Sequence, residues 1–327
     1  MIESINKITD VKDLSNAIST EVGKIIIGND KLIESLTISI LSNGHVLLEG
    51  LPGTAKTLLA TSFATAFGLK TNRVQSTPDM MPGDITGTRI YNAKTLEFDF
   101  IPGPIFANLV LVDEINRAPP KSQSALLECM QEKQVSADGV TSKLDEPFMV
   151  IATKNALELE GTYPLPEAQL DRFLFRLVMK YPDESEEVEI LNRSKQSDTS
   201  TSSKIEKSVL LNAKNMIHTG VKANPNILSY IADIVQSTNE IPKVVLGGSP
   251  RSAVALLYAA KGYAAVTEGR NYVVPDDVKA VSLDVLNHRL ILRQDALFEA
   301  SETEENWTVP YIKKILTECI NNVAVPS

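Results

Sequence analysis

One stretch, LLEGLPGTAKTLLA from Leu47 to Ala60, constrains the chain more than any other. Leu47 and Leu48 close a short apolar strand, Gly50-Leu51-Pro52-Gly53 must turn, and KTLLATSFATAFG continues as a helix with apolar residues at 58, 59, 63, 66 and 67. Lys56 therefore falls in the first turn of that helix. Unpaired N–H groups and the helix dipole already make this end positive, so a lysine there costs about 0.3–1 kcal/mol unless something negative is close by. The position calls for an anion.

From Gly50 to Thr57 the residues GLPGTAKT follow the pattern G-x-x-x-x-G-K-[ST], except that Ala55 stands in place of the last glycine. With Ala55 at ordinary helical angles the backbone cradle survives the extra methyl group. The N–H groups of residues 53 to 57 then surround a β-phosphate, Lys56 bridges β and γ oxygens, and Thr57 ligates Mg²⁺. Gly50, Pro52, Gly53, Thr54, Ala55, Lys56 and Thr57 are the candidate nucleotide contacts. A plain strand-to-helix turn that happened to contain Lys-Thr would leave the cation unpaired at a positive helix end.

Two further apolar strands end on polar residues. LVLVDEINRA places Asp113 and Glu114 at the carboxyl end of a buried strand, the edge at which ligands of open α/β sheets bind. The pair resembles a Walker B motif: Asp113 would hold Mg²⁺ through water, and Glu114 would orient or polarise an attacking water. FMVIATKNALE ends similarly, and its Asn155 is placed to reach both a γ-phosphate and that water. An acidic turn and a loop asparagine are the ordinary alternatives.

Up to about Lys180 short apolar strands alternate with helical stretches, the pattern of a parallel α/β sheet with helices on both faces. The expected core strands are 45–49, 73–77, 109–113, 148–153 and 173–179. Beyond Pro182 the strand signal stops. Asp183 and Glu186 form a capping-box pattern, the polar run SKQSDTSTSS reads as a loop near a domain boundary, and the remainder reads as helices that repeatedly begin at proline. The 327 residues thus divide into an α/β domain over 1–182 and an all-α domain over 183–327.

Charge and composition exclude several classes. A net charge of -9 and no run of Lys or Arg argue against a broad nucleic-acid surface. No stretch is long and apolar enough for a membrane span, and the N-terminus lacks a signal-peptide core, so a cytoplasmic location is expected. Cys129 and Cys319 read as buried free thiols, and His45, His218 and His288 form no metal-like cluster.

With these stretches in hand, the sequence resembles the MoxR family of AAA+ ATPases. Four blocks carry the likeness: LLEGLPGTAKT, PGPIFANLVLVDEINRAPPKSQSALLECMQEKQV, VIATKNALELEGTYPLPEAQLDRFLF and GGSPRSAVALLYAAKGYA. The likeness runs from about Val22 to Arg293. It departs at Ala156, where many relatives have proline, and in the longer polar stretch around 194–203.

The resemblance implies roles that local pattern does not. Residues 77–88 look like the helix-2 insert region, and 134–148 look like the hairpin before the sensor 1 strand, with Asp138-Gly139 as its turn. Arg172 matches an arginine finger directed at a neighbouring subunit's γ-phosphate. Arg251 matches sensor 2 on the helical lid, and Ser249 and Pro250 read as N-cap and N1, which puts Arg251 at a positive helix end as Lys56 is. Ile27 and Gly28, within VGKIIIGND, match the segment that brackets adenine. The helix 121–133 puts Ala125, Leu126, Cys129 and Met130 on a core face, and Phe98, Phe100 and Phe106 read as buried anchors of turns.

The expectation is therefore an α/β P-loop NTPase domain followed by a helical lid, binding ATP and Mg²⁺ and hydrolysing ATP between subunits of a homo-oligomeric ring, expected as a hexamer. The implied work is chaperone-like remodelling or activation of client proteins, often with a von Willebrand factor A domain protein. The motor subunit of a metal-chelatase-like complex, a nucleic-acid motor and a P-loop kinase are the rivals.

Overall fold

The structure is a computed structural model that describes residues 4–137, 140–155, 161–193, 205–301 and 308–326. The expected turn at Asp138-Gly139, the departure at Ala156 and the polar stretch 194–203 lie outside the described residues.

Helices α1 (Ile8–Gly23) and α2 (Asp30–Leu41) come first, followed by β1 (Val46–Gly50), α3 (Lys56–Ala66) and β2 (Thr71–Gln75). A short helix α4 (Pro82–Thr86) leads into the hairpin β3 (Gly87–Asn92) and β4 (Glu97–Pro102). Then come β5 (Leu109–Asp113), α5 (Pro120–Glu132), the hairpin β6 (Gln134–Ala137) and β7 (Val140–Lys143), β8 (Met149–Asn155), α6 (Glu167–Leu170) and β9 (Phe175–Met179). The second half comprises α7 (Glu184–Arg193), α8 (Lys207–Asn215), α9 (Pro225–Ser237), β10 (Val244–Leu246), α10 (Pro250–Val266), α11 (Pro275–Leu286), β11 (Ile291–Leu292), α12 (Gln294–Ser301) and α13 (Thr308–Asn322).

The five expected core strands form one parallel sheet in the order β2-β5-β8-β1-β9. Their alternate residues feed two separate cores, as the two-residue period of a strand requires. Leu48, Leu109, Leu111, Ile151 and Leu177 pack with α1, α2 and α3 on one face. Leu47, Val110, Val112, Val150 and Ala152 pack with α5 on the other. The first core continues into the lid through Leu256, Ala259 and Val285, so α1 and α2 share buried contacts with both halves of the chain.

Helix starts follow the sequence signals closely. Asp183 N–H donates to Glu186 Oε2 and Glu186 N–H to Asp183 Oδ1, both at 2.9 Å, which is the capping box. Asn224 and Ser249 cap α9 and α10 through their side chains, each ahead of a proline at N1.

Three details differ from expectation. Among the described residues, the lid is helical apart from an isolated bridge between Lys222 and Tyr272 and a small antiparallel pair, β10 with β11, whose three- and two-residue strands are too short to leave a readable period. On α5 the core-facing residues are Ser122, Gln123, Leu126, Leu127, Cys129 and Met130, with Ala125 only half-buried. Phe98 is not a buried anchor: it is 63% exposed on the β3–β4 hairpin, its ring tilted against Tyr91 across the strands with centroids 5.4 Å apart, whereas Phe100 and Phe106 are half-buried and meet edge to face.

Candidate functional site

The loop between β1 and α3 is held from both sides. Thr54 Oγ1 donates to Leu51 O at 2.8 Å, and Tyr181 Oη, just past β9, donates to Pro52 O at 3.1 Å. Gly50 is needed where it stands, because a Cβ there would lie 2.8 Å from Met179 O. Ala55 differs from expectation: it adopts φ 60°, ψ 28°, the left-handed region that a glycine fills without strain. The cradle keeps its shape at the expense of one strained alanine.

Lys56 begins α3 as expected, but its ammonium is not left alone at the helix end. Nζ donates to Gly50 O at 2.8 Å and Leu51 O at 2.7 Å, folding the side chain back over the loop. Burial pulls its pKa below the ordinary lysine range, against the opposing charges of Glu114, Glu49 and Asp113.

Opposite Lys56, β5 delivers Asp113 and Glu114 at its carboxyl end, and β8 delivers Thr153 and Asn155. Asp113 Oδ1 accepts from Thr57 Oγ1 at 3.0 Å and Thr153 Oγ1 at 3.2 Å, and its Oδ2 accepts from Arg73 Nε at 2.7 Å. Glu114 sits in the left-handed region at φ 54°, its N–H donating to Thr153 Oγ1 at 3.0 Å and its Oε2 accepting from Gln75 and Arg117. A charged residue held there is backbone strain at a site, which the fold sustains by fixing both neighbours. Gly53, Thr54, Ala55, Lys56, Thr57, Asp113, Glu114 and Asn155 all line one cleft of about 460 Å³.

Arg73, Gln75, Thr153 and Arg117 were missed by sequence reasoning. Arg73 and Gln75 reach the acids only because β2 is β5's neighbour, with Gln75 in register with Asp113. Beneath the cleft, Glu49 on β1 is buried and paired with Arg176 and Lys154 from the two flanking strands. Burial pushes its carboxyl up, but the two cations more than offset this and leave it below the ordinary range.

A second cleft of about 590 Å³ lies on the β9 side of the cradle, lined by Gly28, Asp30, Lys180 and Glu186 and, from the lid, by Asp284 and Lys313. Gly28 has φ +75°, and a Cβ there would fall 1.8 Å from Glu186 Oε1. Ile27 precedes it, its carbonyl accepting from Asn29 Nδ2. Together the two clefts are of the size that holds a small polar ligand.

Arg172 and Arg251 lie elsewhere. Both line a third cavity, of about 230 Å³, together with Asp171 and Arg289. Arg172 precedes β9 at the amino end of the sheet, whereas Lys56 follows β1 at the carboxyl end, and the two strands pair in parallel from Val46↔Phe175 to Gly50↔Met179. Five residues at ~3.3 Å each separate these ends by about 16 Å. Arg251 is at the N2 position of α10, 3.8 Å from Asp171 Oδ2, so the structure groups it with Arg172 and not with the chain's own Lys56.

A divalent cation fits the first cleft. A hydroxyl and a carboxylate oxygen 3.0 Å apart, beside the β1–α3 loop, are the hard oxygen donors Mg²⁺ takes. Among the described residues, no group of three or more His, Cys, Asp or Glu could hold a metal by itself. No helix of the described residues is long and apolar enough to cross a membrane. Cys129 is buried and Cys319 is half-buried beside Ser237.

Known proteins resemble both halves of the chain. Residues 45–175 match the model of the ATPase family associated with various cellular activities (AAA), and residues 236–308 match that of the AAA lid domain. Chaperone MoxR1 of Mycobacterium tuberculosis is 44% identical, covering 90% of this chain and 80% of the relative. The uncharacterised protein YeaC of Bacillus subtilis is 42% identical, covering 97% and 96%. Protein MoxR of Methylorubrum extorquens is 30% identical, covering 87% and 90%. A crystal structure of a protein from Cytophaga hutchinsonii assigned as an ATPase superposes with a TM-score of 0.86 at 38% identity, covering 98% of this chain and 97% of that one.

Proposed function

Because the chain belongs to the MoxR family of AAA+ ATPases, we propose that it hydrolyses ATP with Mg²⁺ at the interface between subunits of a homo-oligomeric ring and uses the cycle to remodel or activate partner proteins. The observation that carries this is the split of the catalytic set. The cradle, Asp113, Glu114 and Asn155 share one cleft, whereas Arg172 and Arg251 border a different cavity, with Arg172 about 16 Å along the β1–β9 pair from the cradle, an arrangement suited to another subunit's nucleotide.

Within the cleft each residue has a separate task. The backbone N–H groups of the loop and Lys56 bind the β- and γ-phosphates, and ATP displaces the Gly50 and Leu51 carbonyls as partners of Nζ. Thr57 and Asp113 would hold the magnesium ion, which neutralises phosphate charge. Glu114, fixed at its backbone by Thr153, orients the water and takes its proton as the γ-phosphoryl leaves, and Asn155 holds that water from the β8 side. Arg172 and Arg251 of the adjacent subunit stabilise the charge that develops on the transferred group. The second cleft, with Gly28 at its wall and Ile27 next to it in the chain, takes the base.

Client handling is assigned to the β3–β4 hairpin, which exposes Ile90, Tyr91, Leu96, Phe98 and Ile101. Tyr91 and Phe98 pair on one face of the hairpin, Ile90 and Ile101 lie on the other, and such exposed apolar groups mark an interaction surface. The client is a protein, in this family commonly one that carries a von Willebrand factor A domain, and the work is cytoplasmic.

Phosphate release by wild type and Glu114→Gln, each with and without DNA, tests the reading. Wild type should hydrolyse ATP without DNA, and the variant should bind ATP and retain it unhydrolysed. Wild-type turnover in Glu114→Gln would remove Glu114 from catalysis, and strict dependence on DNA would favour a nucleic-acid motor.

A further inference from the structure

Arg172 could act on a neighbour only if its loop were held rigidly, and the lid supplies what holds it. The tripeptide Asn287-His288-Arg289 follows α11 and lies against the start of β9, the edge strand of the sheet. Asn287 Nδ2 donates to Arg176 O at 3.0 Å, and His288 Nε2 lies 3.0 Å from Phe173 O. Arg289 does most. Its Nε donates to Asp171 Oδ1 at 2.7 Å, Nη2 to Phe173 O at 2.6 Å and Asp171 O at 3.4 Å, and Nη1 to Leu174 O at 3.4 Å and to Val285 O.

Those five bonds engage all five N–H donors of a guanidinium. The side chain is 3% exposed and has none left for a phosphate, so it is unsuited to touch nucleotide itself. Four of the five bonds end on residues 171, 173 and 174, which flank Arg172. Arg172 Nε, in contrast, is buried without a partner, and the residue lines the cavity that Arg289 also borders. One arginine is spent on anchoring and the next keeps capacity for an incoming group.

We infer that Arg289 is a positioning residue for Arg172: it locks the finger loop to the lid, so that each subunit's lid sets the activity of the neighbouring subunit's nucleotide site. Asp171 is the hinge of the arrangement, accepting from buried Arg289 on one oxygen and facing exposed Arg251 on the other. The inference rests on the reading of Arg172 as a finger in trans.

A mixing experiment separates the two. Subunits with Arg172→Ala keep an intact pocket, and subunits with Lys56→Ala keep an intact finger, so mixed assemblies hydrolyse ATP only where the second faces the first. Arg289→Gln is added either to the finger donor (with K56A) or to the pocket donor (with R172A). Rescue should fall more than tenfold in the first case and stay within twofold in the second, with Arg289→Lys intermediate. A defect of folding alone would not depend on which partner carries the change, and binding of a fluorescent ATP analogue by the R172A/R289Q chain checks that its pocket is formed. Equal loss in both arrangements, or no loss in the first, overturns the inference. If R172A and K56A without Arg289→Gln show no rescue in verified mixed assemblies, the trans finger itself fails.

Discussion

Mixing Arg172→Ala with Lys56→Ala has a magnitude set by the fold. The finger and the cradle lie at opposite ends of the β1–β9 pair, five residues or about 16 Å apart, so one chain cannot complete its own site. Removing an arginine finger costs about 10³–10⁵ in rate, and Lys56→Ala removes phosphate binding, so each variant alone should be close to silent. In an equimolar random mixture, half of the pockets are intact and half of those face an intact finger. About a quarter of the wild-type rate per subunit should therefore return, whatever the ring size, against a background at least about 10³ lower. Phosphate release measured after co-assembly, with mixing verified by two different tags, reads this directly. No recovery in mixed assemblies, or full turnover by a dilute monomer, would refute the reasoning.

Lys56→Ala should abolish binding of a fluorescent ATP analogue while the apo melting temperature moves by no more than about 4 °C, because Leu51 O keeps Thr54 Oγ1 as a donor, so that of the two carbonyls only Gly50 O loses its side-chain partner. Ala55→Gly should stabilise the apo protein by about 0.5–1 kcal/mol in urea unfolding, since the left-handed conformation suits glycine, and a loss of stability would contradict that geometry. Buried His45 donates from Nε2 to Met130 O and accepts at Nδ1 from Val150 N–H, which only the neutral ring can do, and burial lowers its pKa from 6.5 to about 4. The unfolded chain then binds the extra proton first, so stability present above pH 6.5 falls as pH drops towards 4, by up to about 3 kcal/mol from this group. Urea midpoints of wild type and His45→Gln between pH 7.5 and 4.5 should converge on acidification, and parallel curves would exclude His45 as the source.

The sequence alone determined the parts whose physics is local. Strand, glycine turn and lysine lie within a dozen residues of one another, so the phosphate cradle was legible. Apolar runs ending in Asp113-Glu114 and Asn155 announced buried strands with polar carboxyl ends, and N-cap and proline signals placed α7, α9 and α10. Family likeness supplied Arg172 as a finger for a neighbouring subunit's γ-phosphate and Arg251 as sensor 2, without saying which nucleotide Arg251 faces.

Tertiary structure decided everything that depends on strand order and on the docking of the lid. Arg73 and Gln75 serve the acids because β2 adjoins β5, which no local pattern encodes. Lys56 finds carbonyl partners only once the loop closes, and Ala55 takes a left-handed conformation because the cradle's geometry outweighs about 1–2 kcal/mol of local preference. The sharpest case is Arg289. It lies 117 positions after Arg172 in the chain, and nothing near it in sequence marks it, yet its hydrogen bonds to residues on both sides of Arg172 arise where the lid meets the edge strand. Short-range energetics fix a turn or a cap from a few residues, whereas a donor's partner across two domains exists only after both have packed.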